Sequence, residues 1–166
     1  MPKLELFFDY ACPYCLRGHE ILIELLPRYP GVEVEWRPCE AHPRPERYGR
    51  HSDLCARGMY FAQEQGANLM EYHDRMYKAA LTDRADIEDL GVLSKLVDGL
   101  LDADAFHTAL SGDAYLDRLE ENNRLAWDTY AFNAVPSCRM NGQLLKCIED
   151  IGLTKKQLIA FIEQNQ

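Results

Sequence analysis

The sequence has no apolar run that approaches the ~20 residues needed for a membrane-spanning helix. Its first residues also lack the charged, apolar and small-residue regions of a secretory signal peptide. Basic residues are few, with 18 Lys and Arg against 27 Asp and Glu, so the 166-residue chain carries a formal net charge of -9. Nucleic acids and anionic membranes bind basic surfaces, and this shortage argues against both as partners. We therefore expect a cytoplasmic protein.

Closely spaced cysteines occur once, as Cys12 and Cys15, and the four other cysteines are scattered. A structural zinc site usually needs a second such pair, and the five histidines show no metal-ligand spacing, so we expect no metal. A bridge between Cys12 and Cys15 would close a loop too short to restrict the unfolded chain much, which argues against a purely structural disulfide. In a reducing compartment such a pair is typical of a transient, catalytic disulfide.

The residues around this pair predict a strand followed by a helix. Residues 3–8 are mostly apolar, and residues 12–26 carry apolar side chains at helical spacing. Pro13 falls near the first helical position, where its missing N–H costs no hydrogen bond. The unpaired N–H groups and the dipole at a helix N-terminus favour a thiolate over a thiol. We therefore predict Cys12 as the nucleophile, with a lowered pKa, and Cys15 as the resolving thiol.

Further along, the pattern is first that of a strand and then helical. Residues 32–36 alternate polar and apolar side chains, so the chain opens with a β-α-β unit whose strands we expect to be parallel. Helices that begin near Asp or Asn and carry apolar residues three and four apart are predicted at residues 53–65, 68–81, 86–101 and 102–110. A longer helix is predicted at residues 114–132.

The last part of the chain returns to strand patterns. Residues 137–140 and 143–148 flank Asn141-Gly142, a strong signal for a β-hairpin because both central residues must take positive φ. A capping box at residues 154–157 then predicts the start of a final helix. The order of elements is β-α-β, a helical block, a long helix, a β-hairpin and a helix.

Three short stretches of this sequence resemble a known family: residues 8–15, 34–38 and 134–142. Together they resemble the FrnE group in the DsbA-like branch of the thioredoxin fold, which also includes kappa-type glutathione transferases and 2-hydroxychromene-2-carboxylate isomerases. The resemblance implies an α/β, thioredoxin-like fold with a helical insertion between the β-α-β half and the hairpin-helix half. We expect one DsbA-like domain over residues 1–166, with its core in about residues 1–38 and 113–166 and the insertion in about 52–112.

The resemblance also implies how a substrate is bound. It implies a cis peptide bond before Pro136, which would lie beside Cys12 and present the Val135 backbone to a bound peptide or thiol. Pro13 and Tyr14 complete the expected binding surface. From the residues alone, Pro136 at the start of a strand is compatible with a trans bond as well. The dipeptide Pro13-Tyr14 is the one that glutaredoxins use, which leaves the redox potential open.

Two further residues have open roles. Asp9 precedes Cys12 by three residues and could exchange a proton with a thiol, although we favour a role as the cap of the first helix. Cys138 is predicted to face Leu145 in the hairpin and to lie diagonal to Cys147. A second redox pair and ordinary buried packing are both compatible with that position.

These observations favour a thiol–disulfide oxidoreductase that acts on protein or small-molecule thiols and disulfides. It would need no metal or organic cofactor, and glutathione is a candidate co-substrate. The alternative is a glutathione-dependent transferase or isomerase of the kappa type, although those relatives typically carry serine where Cys12 stands. A non-enzymatic peptide-binding module is a third hypothesis, and it would tolerate loss of Cys12.

Overall fold

A four-stranded mixed sheet forms the centre of the computed structural model, which describes residues 2–166 and so leaves Met1 outside the description. The strands are β1 Lys3–Phe8, β2 Glu33–Pro38, β3 Ser137–Met140 and β4 Gln143–Leu145. Their order in the sheet is β2-β1-β3-β4. β1 runs parallel to β2 and antiparallel to β3, and β3 pairs antiparallel with β4. The predicted parallel β-α-β unit and the C-terminal hairpin are therefore confirmed.

Helices cover the sheet and build the insertion. They are α1 Pro13–Leu25, α2 Asp53–Glu64, α3 Leu69–Tyr77, α4 Leu90–Leu96, α5 Ala103–Ser111, α6 Leu116–Asn123 and α7 Lys155–Asn165. A short 3₁₀ turn, Leu26–Arg28, follows α1, while π-helical turns, Lys78–Thr82 and Arg124–Thr129, extend α3 and α6. None of the helices within residues 2–166 has the length and apolar character needed to cross a membrane.

The helix predicted at residues 86–101 is wrong in its extent, because only α4 forms there. The carboxylate of Asp86 accepts a hydrogen bond from the Glu88 N–H at 3.2 Å, a local turn that competes with helix formation. Asp89 then caps α4 by accepting from the Val92 N–H at 3.1 Å. The helix therefore starts later than predicted, with Asp89 and not Asp86 as its N-cap.

The hairpin turn matches its prediction more closely than the strand after it does. Asn141 and Gly142 have φ values of 51° and 77°, as a two-residue turn of this type requires. β4 ends at Leu145 and does not reach residue 148. The Cys147 N–H donates to the Ser137 hydroxyl at 3.0 Å, so a side chain replaces the next backbone bond of the ladder.

β1 is the most deeply buried strand of the sheet. Residues 4–8 are all buried, so both faces of the strand are covered. The one charged member, Glu5, pairs with Arg37 at 3.1 Å and with Arg139 at 2.8 Å. A buried carboxylate of this kind is tolerated because cations and hydrogen bonds compensate for its lost hydration.

The helical insertion packs against the end of β1, where the cysteine pair follows. The Tyr10 hydroxyl and His73 Nδ1 lie 2.8 Å apart, and the His73 ring lies 4.5 Å from the Trp36 ring, centroid to centroid. Burial lowers the pKa of His73 to about 3, so the imidazole is neutral at physiological pH. Burying large side chains such as Phe8 and Tyr77 here stabilises the fold by roughly 1.5–3 kcal/mol each.

Candidate active site

The cysteine pair lies at the start of α1. Cys12 is the N-cap, with extended backbone angles, and Pro13 is the first helical residue. The Cys12 sulfur accepts a hydrogen bond from the Cys15 N–H at 3.4 Å, which is the bond a capping side chain makes. The sequence prediction that the pair opens a helix is therefore confirmed.

The two thiols have opposite electrostatic environments. A side-chain hydrogen bond from Cys15 is the main cause that lowers the pKa of Cys12, and backbone N–H groups at the helix start add to it. Cys15 is fully buried, and burial raises its pKa well above the ordinary value. Its sulfur accepts a long hydrogen bond, 3.4 Å, from the Asp9 N–H. Cys12 is thus the partly exposed thiol that ionises first, while Cys15 holds its proton.

Asp9 does not cap α1, so that prediction is wrong. Its two carboxylate oxygens accept from the Ala11 N–H at 2.8 Å and from the Ala41 N–H at 2.9 Å. The side chain thus bonds within the cysteine turn and to the loop after β2, and Cys12 itself occupies the capping position. Burial raises the pKa of Asp9 above the ordinary value for aspartate. The carboxyl group ties the cysteine turn to the neighbouring loop.

The segment before β3 lies against the cysteine turn. The Val135–Pro136 peptide bond is cis, which is the geometry that the resemblance implies. The Cys12 thiol donates to the Val135 carbonyl oxygen at 3.7 Å. Ser137 holds this segment by donating to the Ala134 carbonyl at 2.8 Å. The structure thus brings Val135 and Pro136 to Cys12 from more than 120 positions away in the chain.

A cavity of about 450 Å³ opens at Cys12. Its wall combines two thiols, several apolar side chains and four groups that can carry charge. The lining residues are Cys12, Tyr14, Glu40, Ala41, His42, Pro43, Trp127, Asn133, Ala134, Val135, Cys147, Glu149 and Asp150. Of the predicted binding residues, Tyr14 and Val135 line the cavity. Pro136 is buried behind Val135 and is not among the lining residues, and Pro13, next to Tyr14 in the chain, is exposed.

Sequence reasoning missed most of the cavity wall. Trp127 donates through its indole N–H to the Glu40 carbonyl at 3.0 Å, so the end of the long helix reaches the loop after β2. Glu149 and Asp150 lie on the segment between β4 and α7. No local pattern marks these residues, because they meet only when the two halves of the chain pack together.

The remaining cysteines are separate from the helix N-terminus. Cys138 pairs with Leu145 across the hairpin, as predicted, and burial raises the pKa of Cys138 to about 12. Cys147 is nearly buried but reaches the cavity wall. Across residues 2–166 all six cysteines are free thiols. The same part of the chain contains no cluster of three or more His, Cys, Asp or Glu side chains arranged to hold a metal ion.

Known proteins share this architecture. Residues 3–148 match the family of DSBA-like thioredoxin domains. YwbO of Bacillus subtilis (strain 168) is 26% identical in an alignment of 170 positions that covers 81% of this chain and 84% of YwbO. DsbA of Pseudomonas aeruginosa superposes with a TM-score of 0.72 at 16% identity, over 98% of this chain and 80% of that one. A thioredoxin-like oxidoreductase from Silicibacter pomeroyi DSS-3 gives 0.72 at 22% identity, over 98% and 85%. The chain therefore belongs to the DSBA-like thioredoxin domain family.

Proposed function

We propose that this protein is a thiol–disulfide oxidoreductase in which Cys12 is the nucleophile and Cys15 the resolving thiol. The observation that carries the proposal is the contrast between the two sulfurs. Cys12 opens into a cavity and has a lowered pKa, whereas Cys15 is buried one turn along the helix with a raised pKa. A thiolate is the attacking form in disulfide exchange, so the accessible sulfur is also the reactive one.

In the reducing direction the Cys12 thiolate attacks one sulfur of a substrate disulfide. The substrate S–S bond breaks, a mixed disulfide forms on Cys12, and the leaving sulfur departs as a thiolate that takes up a proton. Cys15 then loses its proton and attacks the Cys12 sulfur. This step releases the second substrate thiolate and leaves a Cys12–Cys15 disulfide in the protein. The reverse sequence transfers that disulfide to a dithiol substrate.

The other predicted site residues have supporting roles in this proposal. The backbone of Val135, next to Pro136, lies beside the attacking sulfur and would align an extended substrate. Tyr14 and Pro13 form the adjacent edge of the site. Asp9 is the candidate acceptor for the Cys15 proton. It is a buried carboxyl group, and it lies close enough to both thiols for its negative charge to raise their pKa values.

Cys138 has less to support an auxiliary redox role. A thiol whose pKa is raised to about 12 is almost entirely protonated at neutral pH and reacts slowly. We propose that Cys138 packs in the core. The glutathione-dependent transferase or isomerase has no specific support from the cavity either: within residues 2–166 its lining includes no lysine or arginine to hold the glutathione carboxylates.

The test is a titration of the protein in buffers of graded reduced-to-oxidised glutathione ratio, with thiols trapped by alkylation and counted by mass. We expect one reversible two-thiol transition that Cys12→Ser abolishes. The buried Cys55, in α2, gives a matched control, since Cys55→Ala should keep the transition. Cys15→Ser should instead trap a glutathione mixed disulfide on Cys12. If no reversible couple appears in the wild-type protein, the proposal is wrong.

The potential itself gives the preferred direction. A reduction potential of about -270 mV, as in thioredoxin, would favour reduction of substrates, and one of about -120 mV, as in DsbA, would favour their oxidation.

A further inference from the structure

Two carboxylates at the edge of the Cys12 cavity have no cationic partner among residues 2–166. Glu149 and Asp150 line the cavity and are exposed. In the described part of the chain neither makes an ion pair within 4 Å, although twelve such pairs occur elsewhere. Glu40, the third acidic residue of the lining, is nearly buried and accepts from the Asn123 amide at 3.0 Å. The free negative charge of the cavity therefore comes from Glu149 and Asp150.

The segment that carries these carboxylates is fixed to the cysteine turn. The Arg17 guanidinium, on α1, donates to the Ile151 carbonyl oxygen. Gly152 has a φ of +79° and lies next to Tyr14, so an added methyl group would be in van der Waals contact with the Tyr14 side chain at 3.4 Å. These contacts, at the two residues after Asp150, hold the backbone of the segment next to the helix that begins at Cys12.

The basic side chains near the cavity make contacts with groups other than Glu149 and Asp150. His42 lines the cavity, but its Nδ1 lies 2.8 Å from the Glu46 carboxylate. The Arg17 guanidinium lies 5.6 Å from the centre of the Tyr14 ring in addition to its bond to the segment. Lys146 turns toward the Ala131 carbonyl, 3.5 Å away. Within residues 2–166 the cavity lining includes three acidic residues and no lysine or arginine, so its wall has an excess of negative charge, in a protein whose overall charge is also negative.

We propose that Glu149 and Asp150 make the site select polypeptides with Lys or Arg next to the reacting cysteine, and disfavour glutathione. The inference rests on the proposed function and adds its substrate class. Glutathione carries more carboxylate than amine, so the same charges that attract a basic peptide repel it. Focused charge of one sign at a cleft can change association rates by about 10-fold to 10³-fold, and the effect falls steeply with salt.

Two exposed aliphatic side chains favour a polypeptide over a small thiol. Ile148 and Ile151 are 54% and 52% exposed and flank the two carboxylates in sequence. Lysine and arginine carry long apolar stems that can cover such surface while their charged ends reach a carboxylate. Apolar and acidic groups side by side therefore match a basic side chain in both of its parts.

The test compares three peptides that each contain one cysteine and differ only in the residues beside it, which are Lys, Gln or Glu. Each peptide is supplied as a mixed disulfide with the same small thiol. Reduced protein is mixed with each peptide, and formation of the Cys12–Cys15 disulfide is followed in a single turnover. We expect the Lys peptide to react about 10-fold faster than the Glu peptide at low salt. The ratio should approach one near 1 M salt, where the Debye length is about 3 Å.

Variants assign the effect to the two carboxylates. In Glu149→Gln/Asp150→Asn the preference should be lost, and the rate with oxidised glutathione should rise. The double variant Asp117→Asn/Glu120→Gln, on exposed positions of α6, changes the net charge equally and should keep the preference. Equal rates for the three peptides, or a preference that survives in Glu149→Gln/Asp150→Asn, would overturn the inference while leaving the oxidoreductase intact. No reaction with any peptide would overturn both.

Discussion

Gly18 in α1 lies directly against the ring of Pro136. A methyl group placed on Gly18 would come within 2.9 Å of Pro136 Cγ, closer than side chains pack. Through this contact the helix that begins at the cysteine pair approaches the segment whose Val135 carbonyl accepts from the Cys12 thiol. The absence of a side chain at Gly18 therefore sets the distance between the two halves of the site.

Gly18→Ala should accordingly destabilise the protein and disturb the site together. Alanine is the better helix former by up to about 1 kcal/mol, but overpacking against a buried ring typically costs about 1–3 kcal/mol. We expect a lower free energy of unfolding in urea and a changed alkylation rate at Cys12. Gly31→Ala is the control, since no atom lies within 4 Å of the added methyl group and its stability should stay the same or rise slightly. A Gly18→Ala protein with wild-type stability and reactivity would contradict this account.

The effect of the Cys15 thiol on the pKa of Cys12 predicts a difference between two variants of Cys15. Serine in place of Cys15 keeps an O–H donor toward the Cys12 sulfur, whereas alanine removes the donor. Because the bond from Cys15 is the main cause that lowers the pKa of Cys12, that pKa should be higher in Cys15→Ala than in Cys15→Ser. The measurement is the alkylation rate of Cys12 as a function of pH. The same titration on Cys12→Ser/Cys15→Ala gives the background from the other thiols. Coincident curves for Cys15→Ala and Cys15→Ser would show that this bond does not control the thiolate.

Local signals were enough to predict the parts of the fold that depend on near neighbours. The strand, the proline and the apolar spacing after it placed Cys12 at a helix start, because each feature acts within a few residues. The Asn141-Gly142 turn and the capping box at Thr154 were read correctly for the same reason. The resemblance to a family then supplied the position of Pro136 beside Cys12.

Features that depend on packing between distant segments could not be read in this way. Asp9 has the right residue type and spacing for a cap, but its oxygens bond to two backbone N–H groups, one of them in the loop after β2. Glu149 and Asp150 gain their significance only from the cavity that they share with Cys12. Sequence patterns report the preferences of a segment and not the partners that folding gives it.

Asp9 itself provides the last prediction, through Asp9→Asn. An amide can accept one of the two backbone hydrogen bonds with its oxygen, but its NH₂ group then faces the other N–H, at a cost of about 1–3 kcal/mol. The substitution also removes a negative charge that raises the pKa of Cys12, so the pKa of Cys12 should fall. Alkylation of Cys12 in the variant should therefore begin at lower pH than in the wild-type protein.

The pH dependence of stability gives a second prediction for Asp9→Asn. Because the pKa of Asp9 is raised by burial, the folded protein binds this proton more tightly than the unfolded chain does. Its contribution to stability is complete below the ordinary aspartate pKa and is lost as the pH rises through the raised value, with a slope of at most about 1.4 kcal/mol per pH unit. The stability advantage of the wild-type protein over Asp9→Asn should therefore shrink with rising pH in urea unfolding. Asp104→Asn, at an exposed position of α5, is the matched control for the loss of one carboxyl group. An advantage that grows with pH would mean that folding lowers the pKa of Asp9, and the burial argument for a raised pKa would then be wrong.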